Sequence, residues 1–133
     1  MSIFFKDSKT LLLHTSQKIE FWKVLSEITK YPINNYDQKL WLLKESKIAI
    51  INIIKESDLN RQNIEIEDEK VIDINSILEK YPNINKIIFI GKKSEKLYKI
   101  NFDYIQIDTT YISSSNKISF DNKINLFKNS LGL

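Results

Sequence analysis

Gly91 stands between the apolar run KIIFI and the pair Lys92 and Lys93, in a chain that holds only two glycines. A glycine there permits a tight strand-to-helix turn. Such a turn brings backbone N–H groups and two ammonium groups to a helix start, where anions are favoured. The full glycine-rich phosphate fingerprint is missing, so a plain turn also satisfies the spacing. A second cluster, YISSSNK, sets Ser113, Ser114, Ser115, Asn116 and Lys117 in one stretch. Small hydroxyls, N–H groups and a cation hold phosphate oxygens without base preference, although a polar turn with a helix cap would read the same way. A third, SDLNRQN, contains Asp58 and the only arginine, Arg61. Its planar fork suits bidentate recognition of an anion, and an ordinary solvated arginine fits equally well. Phosphate-bearing ligands are the chemistry common to all three clusters.

Other chemistries are closed by composition. There is no cysteine and one histidine, His14, which excludes a disulfide, a thiolate nucleophile and any Cys-based or multi-His metal site. No run approaches the roughly 18 apolar residues of a membrane span. Lys6, Asp7 and Lys9 come too early for the apolar core of a signal peptide, so a cytoplasmic location is expected. The net charge of +3 permits nucleic acid without implying it. The abundance of Ile, Lys and Asn is what AT-rich coding DNA produces, so only the placement of the lysines carries information.

The elements that must position these clusters alternate along the chain. SQKIEFWKVLSEITKYP repeats Ile19, Trp22, Leu25 and Ile28 at helical spacing, with Ser16 as cap and Pro32 as stop. NNYDQKLWLLKES predicts a second helix, capped by Asn34 or Asn35, with Leu40, Trp41 and Leu43 buried. KIAIINII is β-branched on both faces, as a strand covered on each side requires. Residues 55–68 show no helical stripe and read as a long loop. EKVIDINSILEKYP returns to helix. KIIFI is a second buried strand, KKSEKLY a short helix, YIQIDTTYI a third strand region, and SFDNKINLFKNSLG a helix between Ser119 and Gly132.

This alternation predicts an α/β fold of three αβα layers around a small, mostly parallel sheet of about four strands. At 133 residues, with no linker, repeat or low-complexity tract, one domain over 1–133 is expected. Ligands of such sheets gather at the C-terminal strand ends. That places all three polar clusters on one rim.

In their order and spacing FWKVL, YDQKLWLLKESKIAIINIIKESD, DINSILEKYPNINKIIFIGKKSEKLY, SSS and KINLFKNSL resemble the uracil-DNA glycosylase superfamily, nearest its hypoxanthine-DNA and mismatch-specific branches. Enzymes of that family flip a damaged base from the duplex and hydrolyse its N-glycosidic bond without metal or cofactor, meeting the cost of flipping with backbone contacts and a fitted pocket. The resemblance implies DNA as partner and no cofactor, and a monomer is expected. It sets Ser113, Ser114, Ser115 and Asn116 in the Ser/Pro-rich loop that presses on the DNA backbone, with Lys117 beside them. It sets Gly91 after the strand that lines the base pocket, with Lys92 and Lys93 available to phosphates; Arg61 is a DNA-binding candidate from its own loop.

The sequence also departs from the family. Members normally begin with a strand ending in a Gly-x-x-Pro-Ser type motif that positions the catalytic water, whereas MSIFFKDSKTLLLHTS holds neither glycine nor proline. The slot of the first strand, inside the sheet, is expected to be filled by residues 2–5, with residues 11–14 as second choice. On the first choice Asp7 orients the water. Asn52 or Asp58 then stands at the pocket rim, and His14 donates to the departing base or is simply structural. Ile90 replaces a frequent asparagine, and Ile112 and Asn116 replace usual prolines, so the base recognised does not carry over. A second reading is a catalytically inert module that keeps the scaffold and binds nucleic acid or a protein. A weaker third is a small phosphate-ligand binder of flavodoxin-like topology.

Overall fold

A computed structural model describes residues 2–15, 19–54, 71–113 and 117–132. Its centre is strand β2 (Thr10–His14), whose Leu11, Leu12 and Leu13 are all fully buried. Only a strand covered on both faces can carry three consecutive leucines. Beside it run β3 (Ile48–Asn52) and β4 (Lys86–Ile90), both parallel to it, and β5 (Asp108–Ile112) continues parallel to β4. A two-residue strand β1 (Ser2–Ile3) closes the other edge antiparallel to β3, giving the order β1-β3-β2-β4-β5.

The expected α/β class and largely parallel sheet are observed, with five strands in place of about four. The slot inside the sheet is filled by residues 10–14, which contain the second choice, 11–14, and not by residues 2–5. Ser2 is exposed and β1 is too short to be wrapped on both faces, which suits an edge.

Alternate side chains of the sheet feed two cores. Leu12, Ile48, Ile50, Ile88 and Ile112 pack with α1 (Ile19–Thr29), α2 (Tyr36–Glu45) and α5 (Phe120–Leu131) through Trp22, Leu25, Leu42, Leu43 and Phe127. Leu11, Leu13, Ala49, Ile87 and Phe89 pack on the other side with α3 (Ile74–Lys80) and α4 (Lys92–Phe102) through Ile74, Leu97, Tyr98 and Phe102. Period-two alternation in the strands thus makes the three layers.

Local chemistry sets the helix ends. Asn35, Asp73 and Ser119 each accept a backbone N–H from the first turn, and Gly132 ends α5 at φ 74°. Ser16, the expected cap of the first helix, lies outside the described residues. Trp41 is half exposed rather than buried, because α2 turns Leu42 and Leu43 inward. Among the described residues no helix is long and apolar enough to cross a membrane.

Candidate nucleic-acid interface at the carboxyl rim

The chain leaves β2 for α1 on one face of the sheet and leaves β4 for α4 on the other. Since β2 and β4 are neighbours, their connections diverge and leave a crevice above the strand ends. His14 ends one lip, one residue beyond the Leu13–Phe89 pair, and Ile90–Gly91 ends the other.

His14 is 4% exposed, and neither ring nitrogen has a hydrogen-bond partner among the described residues. Burial lowers its pKa from 6.5 to about 4, so the ring is neutral at physiological pH. A neutral imidazole carries one donor and one acceptor. Leaving both unmet costs free energy, about 1–3 kcal/mol per buried group.

Asn52, paired with His14 in register, is bound at both ends of its amide. Its Nδ2 donates to the Thr15 carbonyl at 3.0 Å, and its Oδ1 accepts from the Ile54 N–H at 2.9 Å. Asn52 therefore sits at the rim, where it ties the exits of β2 and β3 together. Its amide is engaged at both ends by backbone groups.

Gly91 adopts φ 89° and ψ 158°, a conformation essentially confined to glycine. Its N–H donates to the Ile112 carbonyl at 2.9 Å, extending the β4–β5 ladder past the strand end. The Ser94 hydroxyl donates back to the carbonyls of Ile90 and Gly91, each at 2.9 Å. Gly91 as N-cap has no side chain to cap α4, and the first turn of the helix lies at the rim along with exposed Lys92 and Lys93. Gly91 is thus both the required turn and the N-cap of α4.

Two further described residues complete the rim. Ser113 follows β5, and exposed Lys117 precedes the Ser119 cap of α5. Ser114, Ser115 and Asn116 lie outside the described residues, as do Asp58 and Arg61. The chain passes out of the described residues after Ile54 and re-enters at Val71, which bridges back to Ile54 at the same rim.

Asp7 is not at this rim. It occupies the turn closed by the Ser8 N–H donating to the Phe5 carbonyl, and the Lys9 N–H donates to the Lys47 carbonyl just before β3 begins. That is the opposite edge of the sheet, a full strand away, or roughly 13 Å at about 3.3 Å per residue. Its assignment to the catalytic water is withdrawn. The assignment follows from placing the interior strand at residues 2–5; with residues 10–14 in that slot, the group at the strand's end is His14.

A partly buried ion pair that sequence reading misses stands behind the rim. Lys123 in the first turn of α5 lies 2.9 Å from Glu20 in the first turn of α1, with the ammonium side chain only 7% exposed. It fixes two helix N-termini against one another. Nothing in the local pattern flags it, because the two residues are 103 positions apart.

No family model matches the chain. A search of curated proteins finds a hypoxanthine DNA glycosylase of Methanosarcina barkeri, 28% identical over 78 residues, which are 56% of this chain and 49% of that protein. The chain thus spans about half the length of that relative. Among solved structures, the solution NMR structure of a candidate uracil DNA glycosylase from Methanosarcina acetivorans superposes with a TM-score of 0.72 at 19% identity, covering 100% of this chain and 96% of that one.

Proposed function

We propose, from the premise that this chain is a distant relative of the uracil-DNA glycosylase superfamily in sequence and in fold, that it binds DNA across the carboxyl rim and hydrolyses the N-glycosidic bond of a flipped uracil, hypoxanthine or mismatched base. The observation that carries the reading is His14, a buried imidazole at the end of the central strand whose two nitrogens have no partner among the described residues.

Cleavage of this bond builds positive charge on the sugar and negative charge on the base. Water oxygen bonds to C1′ and gives up one proton, the C1′–N bond breaks, and the base leaves with the bonding pair and takes up one proton, so that water is divided between sugar and base. A neutral His14 offers an N–H to the departing base, and its other nitrogen is an acceptor suited to a water. The first turn of α4, which begins at Gly91, adds positive potential where the anion forms. Lys92, Lys93, Ser113 and Lys117, joined by Ser114, Ser115, Asn116 and Arg61, are assigned to the sugar–phosphate backbone. Asp58 is assigned to the pocket rim. Backbone contacts of this kind offset the few kcal/mol that flipping costs.

A second reading is an inert nucleic-acid-binding module on the same scaffold. It is favoured by one observation: residues 1–16 contain neither the glycine nor the proline of the family's water-positioning motif. The two separate in one assay. Duplexes bearing a single uracil, hypoxanthine or mismatched thymine are incubated with the protein and then cleaved at abasic sites with alkali. The glycosylase reading expects a product from at least one lesion. Salt-sensitive DNA binding without any product would establish the inert module.

A further inference from the structure

A groove of about 510 Å³ runs along the outer side of α4 beside edge strand β5, lined by Lys92, Glu95, Lys96, Lys99, Ile100 and Tyr111. Its three lysines recur at i, i+4 and i+7, so they form one stripe spanning roughly 10 Å at about 1.5 Å per residue. Helix α4 holds four lysines against one glutamate, an excess of three that equals the net charge of the whole chain. Lys99 is loosely paired with Glu95 at 3.7 Å, whereas Lys92 and Lys96 have no partner among the described residues. Ile100, 52% exposed, adds an apolar wall, and Tyr111 lies on the strand whose outer edge has no strand partner among the described residues.

Direction is built into this surface. The stripe opens at Lys92, beside Gly91 on the rim, and ends at Lys99. Beyond it Asp103 ends α4 and Asp108 starts β5. A polyanion held here enters from the rim and is turned away by carboxylates at the far edge.

We infer that this groove carries a strand of nucleic acid leading away from the rim, its phosphates on Lys92, Lys96 and Lys99 and its sugar or base faces against Ile100 and Tyr111. Continuity with the rim at Lys92 decides for nucleic acid over an acidic protein segment. The inference rests on the reading of the rim as a DNA site and extends it to residues of α4 and β5 that lie outside the crevice.

Fluorescence anisotropy with labelled single-stranded and duplex oligonucleotides, titrated from about 50 to about 200 mM salt, tests it. The variants are Lys96→Gln/Lys99→Gln, the stronger Lys96→Glu/Lys99→Glu, and Lys6→Gln/Lys9→Gln at the opposite edge as control. The α4 glutamine pair is expected to weaken binding roughly tenfold at the lowest salt and to flatten the log–log salt slope by about two, one for each phosphate no longer neutralised. The control pair should keep the unaltered slope. Equal behaviour of the α4 and control pairs would overturn the inference while leaving the rim reading standing. So would loss of binding to a labelled polyglutamate peptide with oligonucleotide binding intact. Absence of salt-dependent oligonucleotide binding by the unaltered protein would remove the rim reading, and this inference with it.

Discussion

His14 and Asn52 end adjacent parallel strands in register, and among the described residues only the Asn52 side chain is hydrogen-bonded. The Asn52 amide joins the Thr15 carbonyl to the Ile54 N–H, while both nitrogens of His14 are buried without a partner among the described residues. A buried polar group without a partner costs stability, so the two strand ends differ in what the described residues do for them.

That arrangement sets a pH dependence. His14 has a folded pKa of about 4 against 6.5 when solvated. Between these values the unfolded chain binds a proton that the native state does not, so stability rises with pH across the window. The contribution is complete above about 6.5, is lost as pH falls toward 4, and amounts to about 3 kcal/mol. Urea midpoints from pH 4 to 7 should show this slope, and His14→Leu should flatten it while leaving the protein at least as stable at pH 7. An unchanged slope in the variant would assign the dependence to other groups.

Glu20 and Lys123 should be unequal under substitution. Removing Glu20 leaves a buried ammonium unpaired, so Glu20→Gln is expected to cost about 1–3 kcal/mol, discounted because the carboxylate is partly exposed. Lys123→Met removes the buried charge itself and should be nearly neutral. Chemical denaturation of the two variants checks the order, and equal losses would contradict it.

The two glycines should also differ. Gly132, at φ 74° with nothing within 4 Å of an added Cβ, should tolerate alanine at about 1–2 kcal/mol. Gly91 holds a conformation that non-glycine residues scarcely adopt, so Gly91→Ala should cost about 3 kcal/mol or more. Thermal unfolding of both variants gives the comparison.

Asp7→Ala should leave oligonucleotide binding and any base excision unchanged, because Asp7 belongs to the turn at the far edge of the sheet. A loss of turnover above about tenfold, with the fold intact by circular dichroism, would return a carboxylate at position 7 to the chemistry.

Much of this is legible in the sequence, for identifiable reasons. Doubly covered strands betray themselves by unbroken apolar runs, so IAIIN and KIIFI are readable, and Asn35, Ser119 and Gly132 act as ordinary caps. Residues 10–14 rank second on sequence because the neighbouring IFF run is equally apolar; the choice between them depends on length and on which segment can be wrapped, a tertiary fact. That single reversal moves the expected water-orienting group from the site to the opposite edge. Helix α4 outruns its expected end because Phe102 continues the buried stripe of Leu97 and Tyr98. Helix α1 stops at Thr29, ahead of Pro32, with Lys30 in the left-handed region at φ 65°, a position usually marked by a glycine. The Glu20–Lys123 pair is invisible because sequence patterns do not report contacts between distant helices.

Single-turnover excision by the unaltered protein and by His14→Gln, on the lesion duplex that the unaltered protein cleaves fastest, tests the central claim most directly. The glycosylase account predicts measurable excision that falls by roughly 100-fold or more in the variant, with oligonucleotide affinity retained. Equal rates for the two proteins, or no excision by either, would contradict it.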